Sequence, residues 1–117
     1  MPVSDKPHQK DDPMYQLLLS GSIAEFNERR EKGESCDLRS SDLRTRNLKG
    51  LDAKGLDLSD CYLRQADLRG VDFRETNLEG ASINSAKISG AYFPDSIGAE
   101  EIRLSLMHGT RLRQKNI

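Results

Sequence analysis

Residues 36–95 read CDLRS SDLRT RNLKG LDAKG LDLSD CYLRQ ADLRG VDFRE TNLEG ASINS AKISG AYFPD, and their spacing decides the fold. Of the fourteen Leu, Ile, Val and Phe residues in this stretch, eleven share one register of five: Leu38, Leu43, Leu48, Leu58, Leu63, Leu68, Phe73, Leu78, Ile83, Ile88 and Phe93. The other three, Leu51, Leu56 and Val71, each sit two residues before a register position. An α-helix turns about 100° per residue, so a five-residue step would carry these side chains around the helix and bury no face. A strand alternates faces with period two, so an odd step flips sides at every repeat. The chain must therefore bend once per repeat, always the same way, and stack its turns into a column with every fifth side chain inside. This predicts an all-β solenoid.

The remaining registers agree. With the large apolar centre as position i, position i−2 is mostly small or apolar, including Cys36, Ser41, Cys61, Ala66, Ala81, Ala86 and Ala91. Position i−1 is rich in Asp and Asn, which hydrogen-bond the local backbone and favour turns. Position i+2 carries Gly50, Gly55, Gly70, Gly80 and Gly90, as turns with a positive φ require. Two residues depart from the pattern. Ala53 is small for a centre, and Leu51 and Leu56 beside it should supply the missing volume. Arg46 at i−2 should either open the local edge or reach solvent along its stem.

The stretches ADLRG (66–70), VDFRE (71–75), TNLEG (76–80), CDLRS (36–40) and SDLRT (41–45) resemble the A(D/N)LXX motif of the pentapeptide-repeat family. The resemblance implies that family's right-handed quadrilateral β-helix with four pentapeptides per coil. Twelve units then make about three coils, on the order of 15 Å tall at the usual strand spacing.

A short stack has two raw ends, and the flanks read as short α-helical caps. Residues 1–12 are polar and broken by Pro2 and Pro7, the pattern of a disordered tail. The expected N-terminal cap covers 13–33. Asp12–Pro13 starts a helix through Leu17, Leu18 and Leu19. A capping box of Ser22 and Glu25 starts a second helix from Ile23 to Lys32, which lays Ile23 and Phe26 over the first coil. The repeat domain covers 36–95. A C-terminal helix and a loose basic tail fill 96–117. In that helix Ile102 and Leu106 share a face while Leu104 and Met107 lie further round. One side would close the last coil, and the other could pair two copies of the chain as a homodimer.

Chemistry is scarce. His8 and His108 have no spaced metal partner, and no phosphate loop, nucleophile elbow or CxxC motif occurs. No catalytic, metal-binding or cofactor-binding residues are expected, nor a small-molecule substrate. Cys36 and Cys61 read as small buried side chains rather than a disulfide, which fits a reducing cytoplasm. The first thirteen residues have no apolar core and no run reaches transmembrane length, so no membrane partner is expected.

Position i+1 is basic at Arg39, Arg44, Lys49, Lys54, Arg64, Arg69 and Arg74, interleaved with the i−1 acids. Nucleic-acid binding is disfavoured because the bases are matched by acids and aromatics are few. The resemblance also implies an alternative, a DNA-mimicking modulator of a type II topoisomerase such as gyrase. A short column with a net charge of −1 argues against it. The expected function is a non-enzymatic protein-interaction module, an adaptor, regulator or scaffold, in the bacterial cytoplasm that the resemblance implies. Tyr62, Lys87 and Tyr92 take i−1 slots that elsewhere hold Asp, Asn or Ser, and Arg44 and Arg64 lie on the face of Tyr62. An aromatic beside arginines has the composition of a binding hot spot.

Overall fold

The computed structural model describes residues 11–115. Its repeat region is tied together by isolated parallel bridges: Asp42 to Tyr62 to Ser82, Asn47 to Asp67 to Lys87, Asp57 to Asn77, and Asp72 to Tyr92. Every partner lies twenty residues on, so one coil consumes four five-residue units. The rungs are single bridges, and among the described residues none extends into a strand.

The units of Leu43, Leu58, Leu63 and Leu68 each make three backbone bonds with the coil above, and the other units of the first two coils make one or two. In the column of Leu43 and Leu63, the Leu43 N–H donates to Tyr62 O at 2.9 Å and the Thr45 N–H to Arg64 O at 2.8 Å. The Tyr62 N–H donates back to Ser41 O at 3.0 Å. Each unit closes its own corner with a turn from the centre carbonyl to the N–H three residues on, as in Ala66 N–H to Leu63 O at 3.0 Å. The third turn residue has a positive φ in every unit except those of Glu75 and Asp95. Glycine fits that conformation without strain, and Ser, Thr, Asp and Gln adopt it in the other units.

The interior is filled as the spacing predicts from Leu38 to Ile83, all fully buried, with Ala53 inside as well. Ile88 and Phe93 differ, remaining half-buried at the open side of the last coil. Leu51 and Leu56 are buried beside Ala53. Cys61 and Thr76 use their polar atoms inward: Cys61 Sγ donates to Leu38 O at 2.9 Å and Thr76 Oγ1 to Ala53 O at 2.7 Å. Both cysteines are free, and partial burial raises the Cys36 thiol pKa.

Arg46 does not open the edge. Its carbonyl still accepts from Asp67 N–H at 2.9 Å, and its side chain runs down to Leu19 O at 3.3 Å. Its Nε is buried without a hydrogen-bond partner. The ladder thins instead around Ala53, where a hollow of about 200 Å³ lies between Asp52, Ala53, Asp72 and Glu75.

The lower edge of the first coil is satisfied by the N-terminal cap. Helix α1 spans Pro13–Leu19 and α2 spans Ile23–Glu31. Asp12 caps α1 through Met14 N–H and also accepts from Asp37 N–H at 2.9 Å. Tyr15 donates its hydroxyl to Asp42 O at 2.7 Å, and its burial raises the phenol pKa. Asn27 accepts from Asp52 N–H, while Arg30 donates to the carbonyls of Asp52 and Lys54. These bonds replace the coil that is missing beneath.

Met14, Tyr15 and Leu18 are the buried residues of α1, while Leu17 and Leu19 are half-buried. The capping box does not form, because Ser22 Oγ pairs with Ser20 Oγ and Glu25 lies against Arg29. Residues 1–10 of the expected disordered tail lie outside the described residues.

Candidate functional site

The acidic i−1 row has a local purpose. In four units the Asp carboxylate accepts the backbone N–H of residue i+1 and a two-pronged contact from that residue's guanidinium. The pairs are Asp37–Arg39, Asp42–Arg44, Asp67–Arg69 and Asp72–Arg74, with Nε to Oδ1 distances of 3.0, 2.8, 2.9 and 3.0 Å. The arginine hydrogen bonds hold Asp67 and Asp72 at a pKa of about 2 and depress Asp42. A planar guanidinium matches a carboxylate in this way, whereas lysine presents a point charge. Four of the seven bases in the row are thus paired with the residue two places earlier.

At Tyr62 this pattern fails. Tyrosine replaces the acid, and Arg64 is left exposed, with no ion pair or side-chain hydrogen bond among the described residues. The bridges stack Tyr62 directly between Asp42 and Ser82, so Arg44, Tyr62 and Arg64 lie on one face as expected.

A second arginine reaches the same place from the far end of the chain. Helix α3 spans Ala99–His108 and ends at Gly109, whose φ of +74° turns the chain back. Leu112 is then fully buried. Its N–H donates to Ala81 O at 2.8 Å and its carbonyl accepts from Gly80 N–H at 2.7 Å. That bracket sets Arg111 against the tower, with Cζ 5.6 Å from the Tyr62 ring centroid and Nη2 3.3 Å from the Tyr62 hydroxyl. Arg111 Nη1 contacts Gly80 O at 3.2 Å and lies 3.6 Å from Asp60 Oδ1. The tail is therefore docked rather than loose. Arg113 pairs with Glu101 at 3.0 Å, and Lys115 N–H donates to Ser96 O at 2.7 Å.

Together these residues bound a cleft of about 370 Å³. Arg44, Tyr62, Arg64, Ser82, Asn84, His108 and Arg111 line it, and no lining residue carries a carboxylate. A shallower hollow of about 420 Å³ adjoins it and shares Arg44 and Arg64. Among the described residues, no group of three or more His, Cys, Asp or Glu could hold a metal ion. Sequence reasoning singled out Arg44, Tyr62 and Arg64 as a candidate face and did not include Arg111 or His108, which line the same cleft. The available signal was Leu112, an apolar residue flanked by Arg111 and Arg113.

The four residues expected to pair two copies divide between two environments. Ile102 and Leu106 pack on the core, Leu104 is half-buried, and Met107 is 60% exposed. Ser105 Oγ accepts from Ile83 N–H, and Leu106 O from Ser85 N–H, so α3 closes part of the last coil.

A sequence model of pentapeptide repeats matches residues 57–95 in eight copies. Residues 57–95 belong to the pentapeptide-repeat family. The match begins after the Ala53 unit, and the backbone ladder extends the same twenty-residue coil below it to Ser40. No curated protein and no solved structure matches the chain. Among the described residues no helix is long and apolar enough to cross a membrane.

Proposed function

We propose that this pentapeptide-repeat chain is a non-enzymatic interaction module that binds a protein partner in the cytoplasm through the Arg44, Tyr62 and Arg64 face. Its coil takes the right-handed, four-sided section that pentapeptide repeats generally adopt. The observation that carries this reading is the missing acid at Tyr62. Elsewhere the arginines of the basic row are closed by an aspartate two residues earlier. Here an aromatic ring, an open guanidinium and a docked second arginine sit together around a cleft. Tyrosine and arginine are the residue types enriched where binding energy concentrates.

The same clamps argue against DNA mimicry. A mimic needs unpaired acidic rows, and in this chain Asp37, Asp42, Asp67 and Asp72 are each bound to an arginine. Affinity capture from a native lysate tests the reading. The wild-type chain should retain a specific protein, and Tyr62→Ala or Arg64→Ala should release it. Capture unaffected by both substitutions would refute the face. Inhibition of DNA supercoiling by the purified chain would favour topoisomerase modulation instead.

A further inference from the structure

The chemistry of the cleft specifies more than a protein surface. Its donors are three guanidinium groups, the Asn84 amide, the Ser82 hydroxyl and the His108 imidazole. The nearby acids are already engaged. Asp42 holds Arg44 in a two-pronged contact, and Asp60 lies 3.6 Å from Arg111. Arg64 remains as an uncompensated charge, and Arg44 and Arg111 line the same cleft. A carboxylate would satisfy one guanidinium fork. A phosphate monoester brings about two negative charges and three acceptor oxygens, enough for several forks at once.

We propose that the Tyr62–Arg64–Arg111 cleft is a binding site for a phosphate monoester. The inference rests on the reading of this face as an interaction surface, and it names the group that the face recognises. The monoester can be carried on a side chain of the partner or on a free small metabolite, and the recognising chemistry is the same. In either case Arg64 makes the new two-pronged contact, and Arg111, braced on the Tyr62 ring, closes over the opposite side. The aspartate clamp is absent at this unit and so leaves Arg64 available.

Phosphoserine, followed by the amide NMR shifts of the full chain, tests the proposal. Saturable shifts are expected at Gly80, Ser82 and Gly109. Arg64→Gln should weaken binding about tenfold or more, as for loss of a charge-assisted contact. Tyr62→Asp should do the same with every arginine retained, because it rebuilds the clamp on Arg64. Arg39→Gln removes the same charge from a clamped site and should change affinity less than about twofold if long-range charge is unimportant. Absence of saturable shifts overturns the proposal, as does equal weakening by Arg39→Gln and Arg64→Gln. Glutamate binding as tightly as phosphoserine would overturn it too.

Phosphatase treatment of the captured partner identifies the source of the group. Release of the partner places the ester on the protein. A partner that stays bound after treatment, with phosphoserine failing to compete, sinks the phosphate site and leaves the interaction reading intact. Phosphoserine binding with no partner captured does the reverse: it keeps the site, assigns it a free ester and removes the interaction reading.

Discussion

Leu48, Leu68 and Ile88 occupy one column of the coil, each twenty residues above the last, and truncating them one at a time measures how the tower is held together. Leu48 and Leu68 are fully buried, whereas Ile88 is half-buried. Leu68→Ala removes a side chain packed between two coils, which neighbouring backbone ladders prevent from collapsing. Such a truncation costs about 2–5 kcal/mol. Against the roughly 5–15 kcal/mol of a typical domain, that is a large share of the total. Ile88→Ala removes atoms that already face solvent on one side. Its cost should be near half, about 1–2 kcal/mol, on the same cavity scale. Urea unfolding followed by circular dichroism gives both numbers, provided the slope with denaturant stays constant. A smaller slope for Leu68→Ala would show that the coils unfold separately, as stacked repeats can. A loss at Ile88 equal to or above that at Leu68 would refute the view that burial in the middle coil dominates stability.

Three further predictions follow from the surface and the turns. The Asp67 and Asp72 carboxylates are held at a pKa of about 2 by Arg69 and Arg74, below the usual aspartate value of about 3.9. Their stabilising contribution is therefore complete above about pH 4 and is lost as pH falls towards 2; Arg69→Gln should flatten that fall in an acid titration of stability, and an unchanged curve would discount the clamp. Gly70→Ala meets open space and should cost about 1–2 kcal/mol for the left-handed backbone alone, whereas a Cβ at Gly80 overlaps the Asp60 carboxylate and should cost more in the same urea assay. Met107 and Tyr92 are the large apolar side chains left exposed among the described residues, and stable interfaces bury about 800 Å² per partner. Light scattering should therefore find a monomer; a dimer that Met107→Glu dissociates would restore the pairing role expected of α3.

The coil was legible because its cause is periodic. Once Leu38 through Ile83 recur every fifth residue, only a chain that bends at each unit can bury them, and the bridges twenty residues apart follow. The caps were legible as helices but not in their contacts. Nothing in a single sequence shows that Tyr15 will reach Asp42 O or that Arg30 will span Asp52 and Lys54, because those partners are fixed by which backbone groups the missing coil leaves open. Arg46 shows the same limit. Its polarity suggested either an opened edge or a stem reaching solvent, and the structure shows the side chain ending on Leu19 O while the ladder holds. The tail was misjudged because composition counts charges, while docking depends on one buried leucine, Leu112, and two backbone bonds.

A repeating surface carries little information for a partner, since every unit presents nearly the same groups. Specificity must then come from departures, and each can be weighed by what it releases. Tyr92 is also an aromatic in an acidic slot, but Arg74 lies 4.8 Å over its ring while remaining clamped to Asp72, so that substitution frees no charge. At Tyr62 the missing acid lies on the same unit as a base, and Arg64 is released. The C-terminal bracket brings Arg111 to the same ring by a separate structural cause, the burial of Leu112. The repeat alone would leave one open arginine on a flat wall, and the tail alone would leave one arginine beside a ring. Their convergence produces a cleft with donors from both the repeats and the tail, and it makes the position of residues 109–113, well outside the repeats, a condition for whatever this face binds.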